Sequence, residues 1–173
     1  MDAKAFISGS ETALEELISK MTPPLMKYSY NILLNYSDAE DAVQNAFVKT
    51  YLGRAAIRDP ETLNSYLYRT VYNSSIDIIR KRRFLMTQSM IRHNESTYIS
   101  EEMSAALGKL QPQDRALVYN RVIDEMGYTE LAEIYGKSEQ NLRKRFERAK
   151  KKLANLLRPV ETAEIADTSK GVI

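Results

Sequence analysis

The chain has 173 residues, 43% of them hydrophobic and 28% charged, a globular mix with room for one ordinary domain or two small ones. It has no cysteine and one histidine, His93, which excludes a disulfide framework, a thiolate zinc site, a cysteine nucleophile and a histidine-rich metal centre. The net charge of +2 implies no partner by itself.

Glycine is scarce and proline sits at punctuation points, so the chain reads as helices joined by short turns. Leu14, Leu17, Ile18 and Met21 recur at i, i+3, i+4 and i+7 and predict a first helix. Thr22 and Pro23 then read as an N-cap followed by proline at the first helical position, opening a helix with Leu25, Tyr28, Ile32 and Tyr36 along one side. Ser37-Asp38-Ala39-Glu40 matches a capping box and predicts a third helix through about Leu52. Asp59-Pro60 opens a fourth, rich in Tyr and Ile, which runs to the basic cluster Arg80-Lys81-Arg82-Arg83.

From Phe84 to about Ser100 polar residues interrupt the pattern, which predicts a linker between two domains, with His93 solvated inside it. Periodicity resumes at Met103, Ala106, Leu107 and Leu110, and another helix starts near Pro112. The tail from Arg158 to Ile173 is expected to be disordered. No segment alternates long enough to predict a strand, so the expected fold is all-α: a domain over 1–83, a linker over 84–100 and a second helical domain over 101–157. No run of about 18 apolar residues is present and the N-terminus lacks a signal peptide's apolar core, so a cytoplasmic protein is expected.

Residues 127–153 carry the clearest local signal. A short helix, Tyr128 to Tyr135, ends at Gly136, and Ser138 can cap the helix that follows. In that helix Leu142, Phe146, Ala149 and Leu153 mark a buried stripe, which turns Gln140, Asn141, Arg143, Lys144, Glu147 and Arg148 outward. Between Arg143 and Lys152 stand seven bases and one acid, Glu147. The pattern is a helix-turn-helix whose outer helix presents amides and cations, the groups that read adenine, guanine and phosphate in a major groove. An ordinary helical hairpin with a basic solvent face is the bland reading of the same residues.

Residues 38–51 read DAEDAVQNAFVKTY. Ala39, Val43, Ala46 and Phe47 face inward at helical spacing, while Asp41, Gln44, Asn45 and Val48 form a mixed polar and aliphatic strip on another side. Asp38, Glu40 and Asp41 are read as complements of the helix dipole rather than as metal ligands.

This stretch resembles conserved region 2 of bacterial RNA polymerase sigma factors, specifically the extracytoplasmic-function (ECF) group of the sigma-70 family. The group's signature is similar to D-A-E-D-x-V-Q-x-x-F, followed by W-L-x-R-x-x-x-N-x-x-x-D-x-x-R. The second part stands here as Tyr66-Leu67-Tyr68-Arg69, Asn73, Asp77 and Arg80. The C-terminal segment resembles the same family's region 4, including an L-x-P-x-x-R lead-in at Leu110, Pro112 and Arg115. Tyr66 stands where the family usually has Trp, Asn45 where a Glu is common, and Gly127 at a usual Ser or Thr capping position.

The resemblance implies a non-enzymatic protein without cofactor or metal. It implies that Asp41, Gln44, Asn45 and Val48 dock on the clamp helices of the largest subunit of core RNA polymerase. It implies that Tyr68, Tyr72, Asn73, Arg80, Lys81, Arg82 and Arg83 engage the promoter −10 element, and that Gln140, Asn141, Arg143, Lys144 and Arg148 engage the −35 element. An anti-sigma factor, often membrane-anchored in this family, is a further expected partner. A stand-alone helix-turn-helix regulator and a sigma-like accessory protein of the polymerase remain as alternatives; an all-helical enzyme is disfavoured because no cluster has catalytic spacing.

Overall fold

The structure is a computed structural model that describes residues 2–85 and 100–158, the side chains of 83–85 excepted. Among the described residues the regular structure is helical throughout: α1 (Ala3–Ile7), α2 (Glu11–Leu33), α3 (Tyr36–Gly53), 3-10 turns at Arg54–Ala56 and Pro60–Thr62, α4 (Leu63–Leu85), α5 (Glu101–Gly108), α6 (Pro112–Val122), α7 (Tyr128–Tyr135) and α8 (Glu139–Leu156). The fold is all-α, as the periodicity predicts. His93, most of the expected linker and the tail beyond Arg158 lie outside the described residues.

Two expected boundaries are corrected. Thr22-Pro23 does not start a helix: α2 runs unbroken from Glu11 to Leu33 with Pro23 and Pro24 inside it. The prolines remove the donors that would reach the carbonyls of Ser19 and Lys20. Pro23 is exposed and Pro24 partly so, which leaves those carbonyls within reach of water, and the Thr22 hydroxyl donates to the Ile18 carbonyl at 2.7 Å. The second correction concerns the start of α3. Its N-cap is Asn35, whose side chain accepts from the Asp38 amide at 2.9 Å, so Ser37 lies within the first turn. Leu34 ends α2 in the left-handed region at φ 52°. No glycine marks that break, which is why the local pattern shows little sign of it. The short α1 has no expected counterpart either; it is capped by Asp2 and buries Phe6 against Tyr51, ring centroids 6.4 Å apart.

Residues 2–85 and 100–158 form two helical regions whose buried side chains make one continuous cluster. In the first, Leu17, Leu25 and Ile32 of α2 meet Ala39, Ala42, Val43 and Ala46 of α3, with Leu67 and Val71 of α4 closing the group. Alanines on α3 let the three backbones approach closely. A buried hydroxyl pair, Ser29 with Ser75 at 3.0 Å, satisfies the polar atoms where α2 crosses α4. In the second region Leu117, Leu131, Ile134, Leu142 and Phe146 build the helix-turn-helix core.

The two regions meet through α2 against α6 and α4 against α7. Arg115 of α6 is buried there, donating from Nε to the Ile32 carbonyl at 3.1 Å and from Nη1 to the carbonyls of Leu107 and Leu110 at 3.2 and 3.0 Å. Ile32 lies in the last turn of α2, where a carbonyl has no helical partner. The guanidinium both fills that vacancy and meets the negative end of the helix dipole. Burial brings its pKa down to about 10, so it stays charged at neutral pH.

Candidate functional site

On α3 the capped start and the alanine-rich inner stripe fix the outer face. Asp41, Gln44, Asn45 and Val48 are all exposed, with Val48 at 57%. Leu52, 73% exposed, continues the strip one turn further. Sequence reasoning missed it, although its position four residues after Val48 was the available signal.

On α8 Ser138 caps the helix by accepting from the Asn141 amide at 3.3 Å, and the Thr129 hydroxyl donates to Glu139 at 2.9 Å, tying the start of α7 to the start of α8. Gly136 makes the turn at φ 61°. Gly127 caps α7 without a side-chain bond. Arg145 points inward to Asp114 of α6, and Lys152 donates to the Lys109 carbonyl at 2.7 Å. With the helix so anchored, Gln140, Asn141, Arg143, Lys144 and Arg148 are all exposed on one face. Arg143 is steadied by Glu139 at 3.5 Å and by the Tyr128 ring, its guanidinium carbon 4.2 Å from the centroid.

The α4 residues divide. Asn73, Arg80 and Lys81 are exposed, with Arg80 paired to Asp77 at 3.0 Å. Arg82 is half-buried and paired with Asp38 in the first turn of α3. The Arg83 side chain lies outside the described part. Tyr66 packs half-buried on the core, its hydroxyl beside Gly53. Tyr68 is only 6% exposed, its ring 5.1 Å from Tyr28. Tyr72 is half-buried and meets Tyr135 of α7 edge-on at 4.9 Å.

Asp124, in the turn between α6 and α7, faces this group. Burial, with a smaller contribution from Glu130, pushes its carboxyl up to about 6 from 3.8, against the lowering effect of the Tyr68 hydroxyl bonded to it. Its Oδ2 is buried without a partner among the described residues, and Tyr119 also faces it. A carboxyl whose folded pKa is raised favours the protonated fold, so its contribution to stability is present in full below about pH 3.8 and is lost as pH rises through 6. Asp124→Asn is therefore expected to stabilise the protein near pH 7.5 by about 1 kcal/mol, discounted for partial solvent access. Near pH 5 it should do about half as much. Melting at the two pH values checks this; an equal effect at both would refute it.

No described helix is long and apolar enough to cross a membrane. Two family models match the chain, Sigma-70 region 2 over residues 17–84 and Sigma-70, region 4 over residues 100–153. The chain is similar to RNA polymerase sigma factor SigV of Bacillus subtilis, 24% identical over 131 residues that span 72% of this chain and 79% of that protein. It is also similar to ECF RNA polymerase sigma factor SigM of Mycobacterium tuberculosis, 26% identical over 165 residues, 88% of this chain and 81% of that one. Two solved structures share the fold. CnrH in complex with the cytosolic domain of CnrY superposes with a TM-score of 0.70 at 24% identity, covering 90% of this chain and 94% of that one. The sigma factor RpoE in complex with the anti-sigma factor NepR from Bartonella quintana gives 0.71 at 20%, covering 83% and 95%.

Proposed function

The chain belongs to the extracytoplasmic-function group of the sigma-70 family, and we propose that it binds core RNA polymerase, directs it to promoters through −35 and −10 contacts and assists promoter melting. The observation that carries this is the presence of two separate exposed polar faces on one chain, the α3 strip and the α8 face. A stand-alone helix-turn-helix regulator would use α8 and have no need of the strip.

In this reading residues 1–83 serve the polymerase and the −10 element, 101–157 serve the −35 element, and 84–100 link them. Asp41, Gln44 and Asn45 supply hydrogen bonds and charge to the clamp helices, with Val48 and Leu52 adding apolar contact. Gln140, Asn141 and Arg143 face base edges in the major groove, while Lys144 and Arg148 hold phosphates. On α4 Tyr68 and Tyr72 stack on unpaired bases, Asn73 reads a base edge, and Arg80, Lys81, Arg82 and Arg83 hold the backbone. The chain itself performs no covalent step; the polymerase does. An anti-sigma factor, membrane-anchored or soluble, is the expected regulator, and the cytoplasm the expected compartment.

The test is a core-polymerase binding assay. Asp41→Ala with Gln44→Ala should weaken association with core polymerase, while helicity and Tm stay close to the parent because both side chains are exposed on the outer face of α3. Undiminished affinity in the double variant would remove the α3 assignment.

A further inference from the structure

A cavity of about 380 Å³ lies where α2 meets α5, α6 and α8, walled by Met103, Leu107, Val118 and Leu153. Val122 and Ile123 also line it and are 55% and 62% exposed. Aliphatic surface left bare around a concavity marks an interaction site more often than a plain surface does. The room is ample for a small organic guest, since about 150 Å³ of apolar space already holds a benzene-sized molecule. Cavities of this size and lining, set between two packed units, are where small ligands are commonly held.

The charged groups of the cavity carry one sign. Two cations line it, Lys27 and Arg115, and no acid does. Arg115 is 7% exposed and, among the described residues, donates only to the carbonyls of Ile32, Leu107 and Leu110. Those acceptors satisfy its N–H groups without cancelling its charge, of which the end of the α2 dipole offsets about half. Asn31, one turn after Lys27, gives an amide hydrogen to the Lys27 carbonyl at 3.0 Å and has a second to offer. Because Arg115 is bonded to the adjoining Ile32 carbonyl, the three polar groups share one wall. A buried cation without a counter-charge is the costly arrangement, and an anion in the cavity would supply what is missing.

An aliphatic wall with a cationic end suits an aliphatic chain that ends in a carboxylate. We infer that this cavity is a binding site for a free medium-chain aliphatic carboxylate, its head between Lys27, Asn31 and Arg115 and its chain against Leu107, Val118 and Leu153. The guest is a single acid molecule and not a bilayer, because the aliphatic wall lies inside a concave seam. None of the residues that line the cavity belongs to the proposed polymerase, −10 or −35 faces, so the inference stands apart from those assignments.

The probes are hexanoate, octanoate and decanoate, each titrated into the full-length chain below the concentration at which it self-associates. Decanol and decylamine serve as head-group controls. Calorimetry reads affinity and stoichiometry, and methyl NMR of Leu107, Val118 and Leu153 reads location. A single decanoate should bind per chain, with affinity rising about fourfold for each methylene added from hexanoate to decanoate. Decanol should bind about tenfold more weakly, and decylamine not at all. Lys27→Glu changes an exposed side chain and should weaken decanoate about tenfold, exchanging an attraction for a repulsion. Val118→Phe fills a half-buried position in the wall and should abolish binding. Lys27→Glu keeps the test valid if Val118→Phe fails to fold.

Unmoved methyl resonances at millimolar decanoate would overturn the inference. So would equal affinity for decanoate and decanol, or binding that the folded variants leave intact, since either marks adsorption to apolar surface without a site. Two rival occupants are read in the free full-length chain. Methyl resonances that move with protein concentration would seat a second copy in the cavity. Contacts from the same methyls to Val160 or Ile165 would seat the chain's own C-terminal segment there. Either result would overturn the carboxylate site.

Discussion

Arg115→Met should be among the most destabilising single changes in either region, costing about 3 kcal/mol and lowering Tm by about 6–12 °C. Methionine keeps the apolar stem but not the guanidinium, so the effect combines the lost hydrogen bonds with the space the fork had filled. Two carbonyls, those of Ile32 and Leu110, would be left without a donor, while that of Leu107 keeps the Leu110 amide at 2.9 Å. Each orphaned buried acceptor costs about 1–3 kcal/mol, offset in part by the relief of a buried cation. Arg115→Lys should recover only part of the stability, because one ammonium cannot reproduce a planar fork that reaches both regions at once. Thermal melting of the three proteins checks the order parent, Lys, Met. A Tm for the Met variant within about 2 °C of the parent would show that water replaces the guanidinium at little cost.

Arg115 also shows where a sequence stops being legible. Its place in the L-x-P-x-x-R lead-in was visible, but its main partner, Ile32, stands 83 positions earlier. Nothing in the local pattern distinguishes an arginine that caps a distant helix from one in solvent. Tyr135 is similar: helical spacing put an aromatic at the end of α7, while its bond to Tyr28 spans 107 positions.

Features governed by near neighbours were legible. The Gly136 turn, the Ser138 cap and the segregation of Leu142, Phe146 and Ala149 from the α8 cations all follow from spacing within one or two turns. Where two local signals compete, reading failed. Thr22-Pro23 looks like a helix start, yet packing of Leu17, Met21 and Leu25 on one face outweighs two missing hydrogen bonds at a site open to water. Ser37 looks like a cap, yet Asn35, two residues earlier, does the capping. Exposure of the α3 strip could be read from the helix alone. Burial of Tyr68 could not, because the element that covers it lies in the other half of the chain.

Alanine at Gln140, Asn141 or Arg143 should change which −35 sequence is preferred, not only how tightly DNA binds. All three side chains lie on the open face of α8 within its first turn and a half, the part of a recognition helix that reaches base edges. Gln and Asn can each bond both polar atoms of the adenine edge, and Arg both acceptors of guanine. Removing one such pair of bonds should cost about 1–3 kcal/mol on the preferred duplex and much less on others, collapsing discrimination at one position. Lys144 and Arg148 lie further along the same face, and Lys150, Lys151 and Lys152 beyond them. Their replacement should weaken every sequence alike and lower the salt slope by about one for each phosphate no longer neutralised. Arg143 is a special case, since it already rests on Glu139 and the Tyr128 ring. Tyr128→Ala should therefore reproduce part of the Arg143→Ala effect without touching DNA itself, by releasing the guanidinium from a fixed direction. Binding of the polymerase-bound chain to a panel of −35 duplexes, measured at several salt concentrations, separates the two groups. If all three first-turn alanine variants keep the parent's sequence preference and merely steepen or flatten the salt dependence, α8 holds the backbone and the reading of the −35 element belongs elsewhere.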